Sequence, residues 1–130
     1  MRGRLLKTCD FKTIARRSDS VKKILSGLAA SPGTVRGRVR LVKTLEERVS
    51  FKEGDVLVTR ITDPTMTSMM NRASAIICDI GGMTSHPSIV SREMGIPCVV
   101  ATKNATNVLR DGMRVFVDGD KGVVYDDSTD

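Results

Sequence analysis

The chain has 130 residues, 28% of them charged and 40% hydrophobic, with a formal net charge of +6. Those figures describe one globular domain with a single real core and argue against a disordered or fibrous chain. No apolar run approaches the ~20 residues of a membrane span, the N-terminus lacks a signal peptide's hydrophobic segment, and Cys9, Cys78 and Cys98 suggest neither a disulfide framework nor a zinc site, so a reducing cytoplasm fits.

The charge is unevenly placed. Residues 1–25 hold Arg2, Arg4, Lys7, Lys12, Arg16, Arg17, Lys22 and Lys23 against Asp10 and Asp19, and the remainder is neutral. Phe11, Ile14, Val21, Ile24 and Leu25 are spaced as in a short amphipathic helix followed by a second turn or helix. Residues 1–26 are therefore read as a basic, helical extension. It is a helix packed on the domain, a linker, or a docking arm for an acidic surface. Lacking interleaved aromatics and any nucleic-acid motif, it does not predict a nucleic-acid partner.

Gly27–Gly33 is rich in turn formers and leads into the main domain, residues 27–125. Val35, Gly37, Val39 and Leu41 alternate with Arg36, Arg38 and Arg40, the pattern of a half-buried strand. Thr44–Arg48 suits one helical turn, and Val56–Arg60 a second strand. Thr62–Thr65 reads as a turn, and Met66–Arg72 as a helix with Met66, Met69 and Met70 filling core. Ala75–Cys78 is a short buried strand stopped by Asp79 and two glycines. Beyond the next helix come a strand at Cys98–Ala101, a short helix at Asn104–Leu109, and a hairpin of Met113–Val117 with Val123–Tyr125. Asp126–Asp130 reads as a frayed acidic tail. Strands and short helices interleave, so the fold class is α/β or α+β.

The chemistry concentrates in residues 79–97, which hold the protein's single histidine, His86. Thr84 and Ser85 are N-cap residue types, Pro87 suits the first helical position, and Gly95 with Pro97 ends the helix. His86 precedes a proline and so falls at the helix boundary. Ile89, Val90 and Met94 recur at helical spacing and predict its apolar face. A helix N-terminus stabilises an anion, glycines let backbone approach it, and a neutral imidazole is a nucleophile. The order strand, glycine loop, histidine, helix is thus compatible with a phosphoryl group accepted on His86, although on spacing alone a lone histidine is more often a helix cap or a packed side chain.

Gly81-Gly82-Met83-Thr84-Ser85-His86 with Arg92-Glu93-Met94-Gly95-Ile96-Pro97 resembles the phosphohistidine signature of the phosphoenolpyruvate-utilising enzymes. That family includes phosphoenolpyruvate synthase, pyruvate phosphate dikinase and Enzyme I of the sugar phosphotransferase system. The likeness also takes in Ala30-Ser31-Pro32-Gly33, Gly54-Asp55-Val56-Leu57-Val58, and Asp111-Gly112 through Asp118-Gly119. It implies a compact three-layer β/β/α swivelling domain whose histidine is phosphorylated at Nε2 and ferries the group between two active sites.

On that resemblance His86 is the phosphoryl acceptor. Thr84 bonds the imidazole or the phosphoryl oxygens, or caps the helix. Gly81 and Gly82 bring amides close, and the hydroxyls of Ser85 and Ser88 donate to phosphoryl oxygens. Arg92, six residues after His86, falls roughly 240° around a regular helix and reads as mainly structural. The family commonly has two small residues after its histidine; Pro87-Ser88 stands here, removing one amide donor.

The length leaves no room for a nucleotide-binding domain or a barrel binding phosphoenolpyruvate. The resemblance therefore implies separate nucleotide-binding and phosphoenolpyruvate/pyruvate-binding subunits or domains. ATP and Mg2+ belong to those partners, and no cofactor to this chain. The initial methionine and basic extension favour a free-standing gene product. Two other classes stay open: a regulatory or binding module in which His86 is never phosphorylated, and a structural swivel domain of an unrelated enzyme.

Overall fold

The computed structural model describes residues 23–42, 51–62 and 66–127. Its elements run β1 (Lys23–Ser26), β2 (Leu28–Ser31), β3 (Thr34–Leu41), β4 (Val56–Thr59), α1 (Thr67–Met70), β5 (Ala75–Cys78), α2 (His86–Met94), β6 (Cys98–Val100), α3 (Ala105–Val108), β7 (Arg114–Asp118) and β8 (Val123–Asp126).

The strands follow the order β1-β8-β7-β3-β4-β5-β6-β2. β3 is shared between two wings. Thr34–Arg38 pairs antiparallel with β7, and Val39–Leu41 pairs parallel with β4. One wing, β1-β8-β7-β3, is antiparallel throughout. In the other, β3 to β6 run parallel and β2 closes the edge antiparallel.

Period-two alternation explains the layers. Val56, Val58, Ala75, Ile77 and Val99 face the antiparallel wing, meeting Val115, Val117 and Val124. Leu57, Ile76, Cys78, Cys98 and Val100 face the helices, where Met66, Met69 and Met70 pack. Strands buried on both faces carry apolar residues on both, which is why β5, β6 and Val56–Val58 of β4 read as continuous apolar runs. The result is the expected three-layer β/β/α arrangement.

β1 and β2 end opposite wings yet are separated in sequence by Gly27 alone. Gly27 donates its amide to the Gly122 carbonyl at 2.8 Å, tying it to the β7–β8 turn. A Cβ at position 27 would lie 2.3 Å from the Val100 carbonyl oxygen in β6. Only glycine lets the chain pass from one wing to the other there.

Three expectations change. Lys23–Ser26, read as the end of a helical extension, is a strand on β8, with Lys23 opposite Tyr125. Its pairing with β8 overrides the local helical spacing of Ile24 and Leu25. Leu28–Ser31, read as turn, is a strand on β6. Asp126 completes β8, and the Asp127 amide donates to Arg114 O at 3.0 Å, so the acidic tail starts later than the sequence implies. The helical reading of residues 1–22, the helical turn at Thr44–Arg48 and the turn residues 63–65 lie outside the described residues.

Candidate functional site

Parallel β4, β5 and β6 bring their carboxyl ends to one edge, where sheets of this kind hold ligands. The segments leaving that edge are stitched together by backbone bonds. Ile80 N donates to Arg60 O at 3.1 Å, Thr102 N to Cys78 O at 3.3 Å, and Lys103 N to Asp79 O at 2.8 Å. Asp79 is buried, and its carboxylate accepts from Thr106 N at 3.0 Å and Thr106 Oγ1 at 2.6 Å. It thereby anchors the first turn of α3.

Gly81 has φ 137°, and a Cβ there would meet Ser85 Oγ at 3.0 Å and Val100 Cβ at 3.3 Å. Backbone conformation and space both demand glycine at this bend. The Gly82 carbonyl collects three donors: Ser85 N at 3.1 Å, Ser85 Oγ at 2.7 Å and Ser88 Oγ at 2.6 Å. The two hydroxyls, predicted to face a phosphoryl group, are thus placed on the loop's own backbone. Each has one proton, so donating it to a ligand requires turning away from Gly82.

α2 opens at Ser85, whose backbone is extended and whose side chain makes no capping bond, and it closes at left-handed Gly95. Its buried face is Pro87, Ser88 and Ser91, with Val90 and Met94 packed on the helix-side core. Small serines let the helix lie close on the sheet. Ile89 sits roughly 100° around from Ser88, so it is turned to solvent, 44% exposed, rather than into the predicted apolar face.

His86 is half-buried at the start of α2. Its Nδ1 lies 2.8 Å from Oγ1 of Thr62, a buried residue just past β4. Whichever atom donates, the bond engages Nδ1 and leaves Nε2 as the ring nitrogen with no protein partner among the described residues. Thr62 is the site residue that sequence reasoning missed. Its only signal was a threonine at the end of a buried strand, before Asp63-Pro64, and nothing local links it to a histidine 24 residues later.

Thr84 is exposed; among the described residues the ring's partner is Thr62 and not Thr84. Arg92 donates through Nε to Ala30 O at 2.8 Å and through Nη2 to Met83 O. One guanidinium thus ties α2 to β2 and to the loop ahead of His86. Ile61, Ile80, Met83 and Ile89 are exposed on the segments that carry the site.

Cys78 and Cys98 are free and buried. Burial pushes the Cys78 thiol well up, with the neighbouring Cys98 and Asp79 adding to it, and burial pushes Cys98 up to about 11. Neither is a thiolate near neutral pH, so neither is a ready nucleophile. Among the described residues no group of three or more His, Cys, Asp or Glu side chains is placed to hold a metal ion.

A family model for the mobile domain of PEP-utilising enzymes matches residues 51–122, more than half the chain. The chain belongs to that family. A probable phosphoenolpyruvate synthase of Archaeoglobus fulgidus is 54% identical over 105 residues, covering 81% of this chain and 14% of the relative. The phosphoenolpyruvate synthase of Pyrococcus furiosus is 48% identical over 128 residues, covering 96% of this chain and 16% of the relative. This mobile domain therefore spans about a seventh of the length of those relatives. Among solved structures, Enzyme I matches with a TM-score of 0.52 and 34% identity, covering 59% of this chain and 32% of that one.

Proposed function

We propose that this mobile domain is a phosphoryl carrier, transiently phosphorylated on Nε2 of His86. The observation that carries the reading is the Thr62–His86 bond, which occupies Nδ1 at the mouth of the glycine loop. For Nε2 to attack, the ring proton must sit on Nδ1, so Nδ1–H donates to Thr62 Oγ1. The Nε2 lone pair then forms the N–P bond in line as the bond from phosphorus to the donor's leaving oxygen breaks, its electron pair departing on that oxygen. The ring's developing positive charge is shared with Thr62 through the Nδ1–H bond. Thr84, two residues from the ring and exposed, donates to the phosphoryl oxygens. The amides of the Gly81-Gly82 loop and of the first turn of α2 add partial positive charge, less the one that Pro87 lacks.

The partners are a nucleotide-binding unit supplying the group from ATP with Mg2+, and a second unit exchanging it with pyruvate and phosphoenolpyruvate. Whether they are separate subunits or domains of a longer chain is part of the test. The setting is a reducing cytoplasm, in keeping with two free buried thiols.

The experiment is intact-mass analysis after incubation with host-cell extract plus ATP or phosphoenolpyruvate, with His86→Ala as control. The expected result is one added phosphoryl group, acid-labile and absent from the variant, with the effective donor pointing to the partner. No gain with either donor, in an extract that labels a known family member, would instead support a binding module.

A further inference from the structure

The solvent face of the antiparallel wing carries a charge pattern that phosphoryl transfer does not use. Val35, Val39, Val115, Val117 and Val124 point into the core, so Arg36, Arg38, Arg114, Phe116 and Tyr125 point out. Pairing lines these up in rows: Arg36 opposite Phe116, Phe116 opposite Tyr125, Tyr125 opposite Lys23. In the next row Arg38 stands directly opposite Arg114. Opposed residues on one face have Cβ atoms about 4.5–5.5 Å apart, and like charges so placed are destabilising.

The neighbouring arginines are compensated. Arg40 bonds Asp55 at 3.2 Å and Asp111 at 2.8 Å. Arg36 has Asp127 at 3.7 Å and lies over the Phe116 ring, 5.8 Å from its centroid. Among the described residues Arg38 and Arg114, both exposed, have no carboxylate partner.

We propose that this face is a docking surface for an acidic protein segment, with Arg38 and Arg114 gripping its carboxylates. Guanidinium groups bind carboxylates through two parallel hydrogen bonds, and a carboxylate between these two would cancel their repulsion. Phe116 and Tyr125, ring centroids 5.9 Å apart, offer apolar cover beside that grip.

Other occupants fit less well. Residues 1–22 are strongly basic and would add to the repulsion. Single-stranded nucleic acid needs a free aromatic face for base stacking, and Arg36 already covers Phe116. A protein segment suits a domain that matches only 14% and 16% of its relatives' lengths, because the rest of such proteins supplies surface for it to meet.

The test is fluorescence anisotropy of a labelled short poly-glutamate peptide and of a thymidine oligonucleotide of equal charge, at low and raised salt. Arg38→Glu/Arg114→Glu is expected to weaken the peptide at least about tenfold, while Lys103→Glu, exposed on the other wing, changes it less than about twofold. The single variant Arg38→Glu faces Arg114 with an opposite charge, so its melting temperature holds or rises and its loss of binding is not unfolding. His86→Ala should bind the peptide normally, which separates this proposal from the carrier role. Peptide affinity insensitive to the double variant would overturn it. So would tighter binding of the oligonucleotide through the same two arginines.

Discussion

Thr62→Val removes one hydroxyl while keeping shape and volume close to those of threonine. That hydroxyl lies 2.8 Å from His86 Nδ1, and Thr62 is only 4% exposed. A hydrogen bond of this kind contributes about 0.5–1.5 kcal/mol net. If it fixes the proton on Nδ1 and orients the ring, its loss slows phosphorylation about 2- to 12-fold. Global stability falls by about 1 kcal/mol, because the half-buried Nδ1 can turn to water. The assay uses phosphoramidate, a small-molecule phosphoryl donor that needs no partner protein, with the mass gain followed in time. Nitrogen NMR of the imidazole reads the tautomer in parallel. Thr62→Ser keeps the hydroxyl and should recover most of the rate. A Thr62→Val rate within about twofold of the parent, with the proton still on Nδ1, would refute the positioning role.

The two loop glycines should behave differently. Gly81→Ala is expected to cost about 1–3 kcal/mol, since it combines φ 137° with contacts to Ser85 and Val100, whereas Gly82→Ala has open space and should stay within about 0.5 kcal/mol; urea unfolding separates them. Arg92→Lys can keep one of the two carbonyl bonds but not both, so about 1–2 kcal/mol is lost and hydrogen exchange quickens across residues 81–85. For the thiols the sign follows from pKa values raised on folding: the native state keeps its protons after the unfolded chain loses them. Stability from Cys98 is therefore unaffected well below the ordinary thiol value of 9.0 and falls as pH rises from there towards about 11. Denaturation midpoints of Cys98→Ala should decline less steeply over that window, and an equal slope would count against the assignment.

The parts of this molecule that could be read in advance are those specified locally. β5, the glycine bend and α2 announce themselves through an apolar run, two glycines, a proline at the helix start and Gly95 at its end. β4 and β6 are legible because burial on both faces leaves them almost wholly apolar, Thr59 at the end of β4 being the one hydroxyl. β1 and β2 were not, because Lys23–Ser31 is short and holds glycine, alanine and serine, and its strand character comes from partners about 70 to 100 residues away. Ile89 was misplaced because periodicity favours large apolar residues, while close approach of α2 to the sheet selected the serines. Thr62 escaped for a similar reason: its role exists only once β4 and β5 lie side by side. The predicted use of Ser85 and Ser88 took account of hydroxyls near the ring but not of the Gly82 carbonyl that holds them.

The pairing of Lys23 with Tyr125 has a mechanical consequence. The first and last strands of the described fold are neighbours, so chain arriving before residue 23 and chain departing after residue 126 share one attachment point. A body tethered on two sides resists rotation; one hung from adjacent cords turns with changes in a few dihedral angles outside the sheet. On the carrier reading proposed above, His86, Thr62 and the glycine bend travel as one rigid load, with no strand pairing broken.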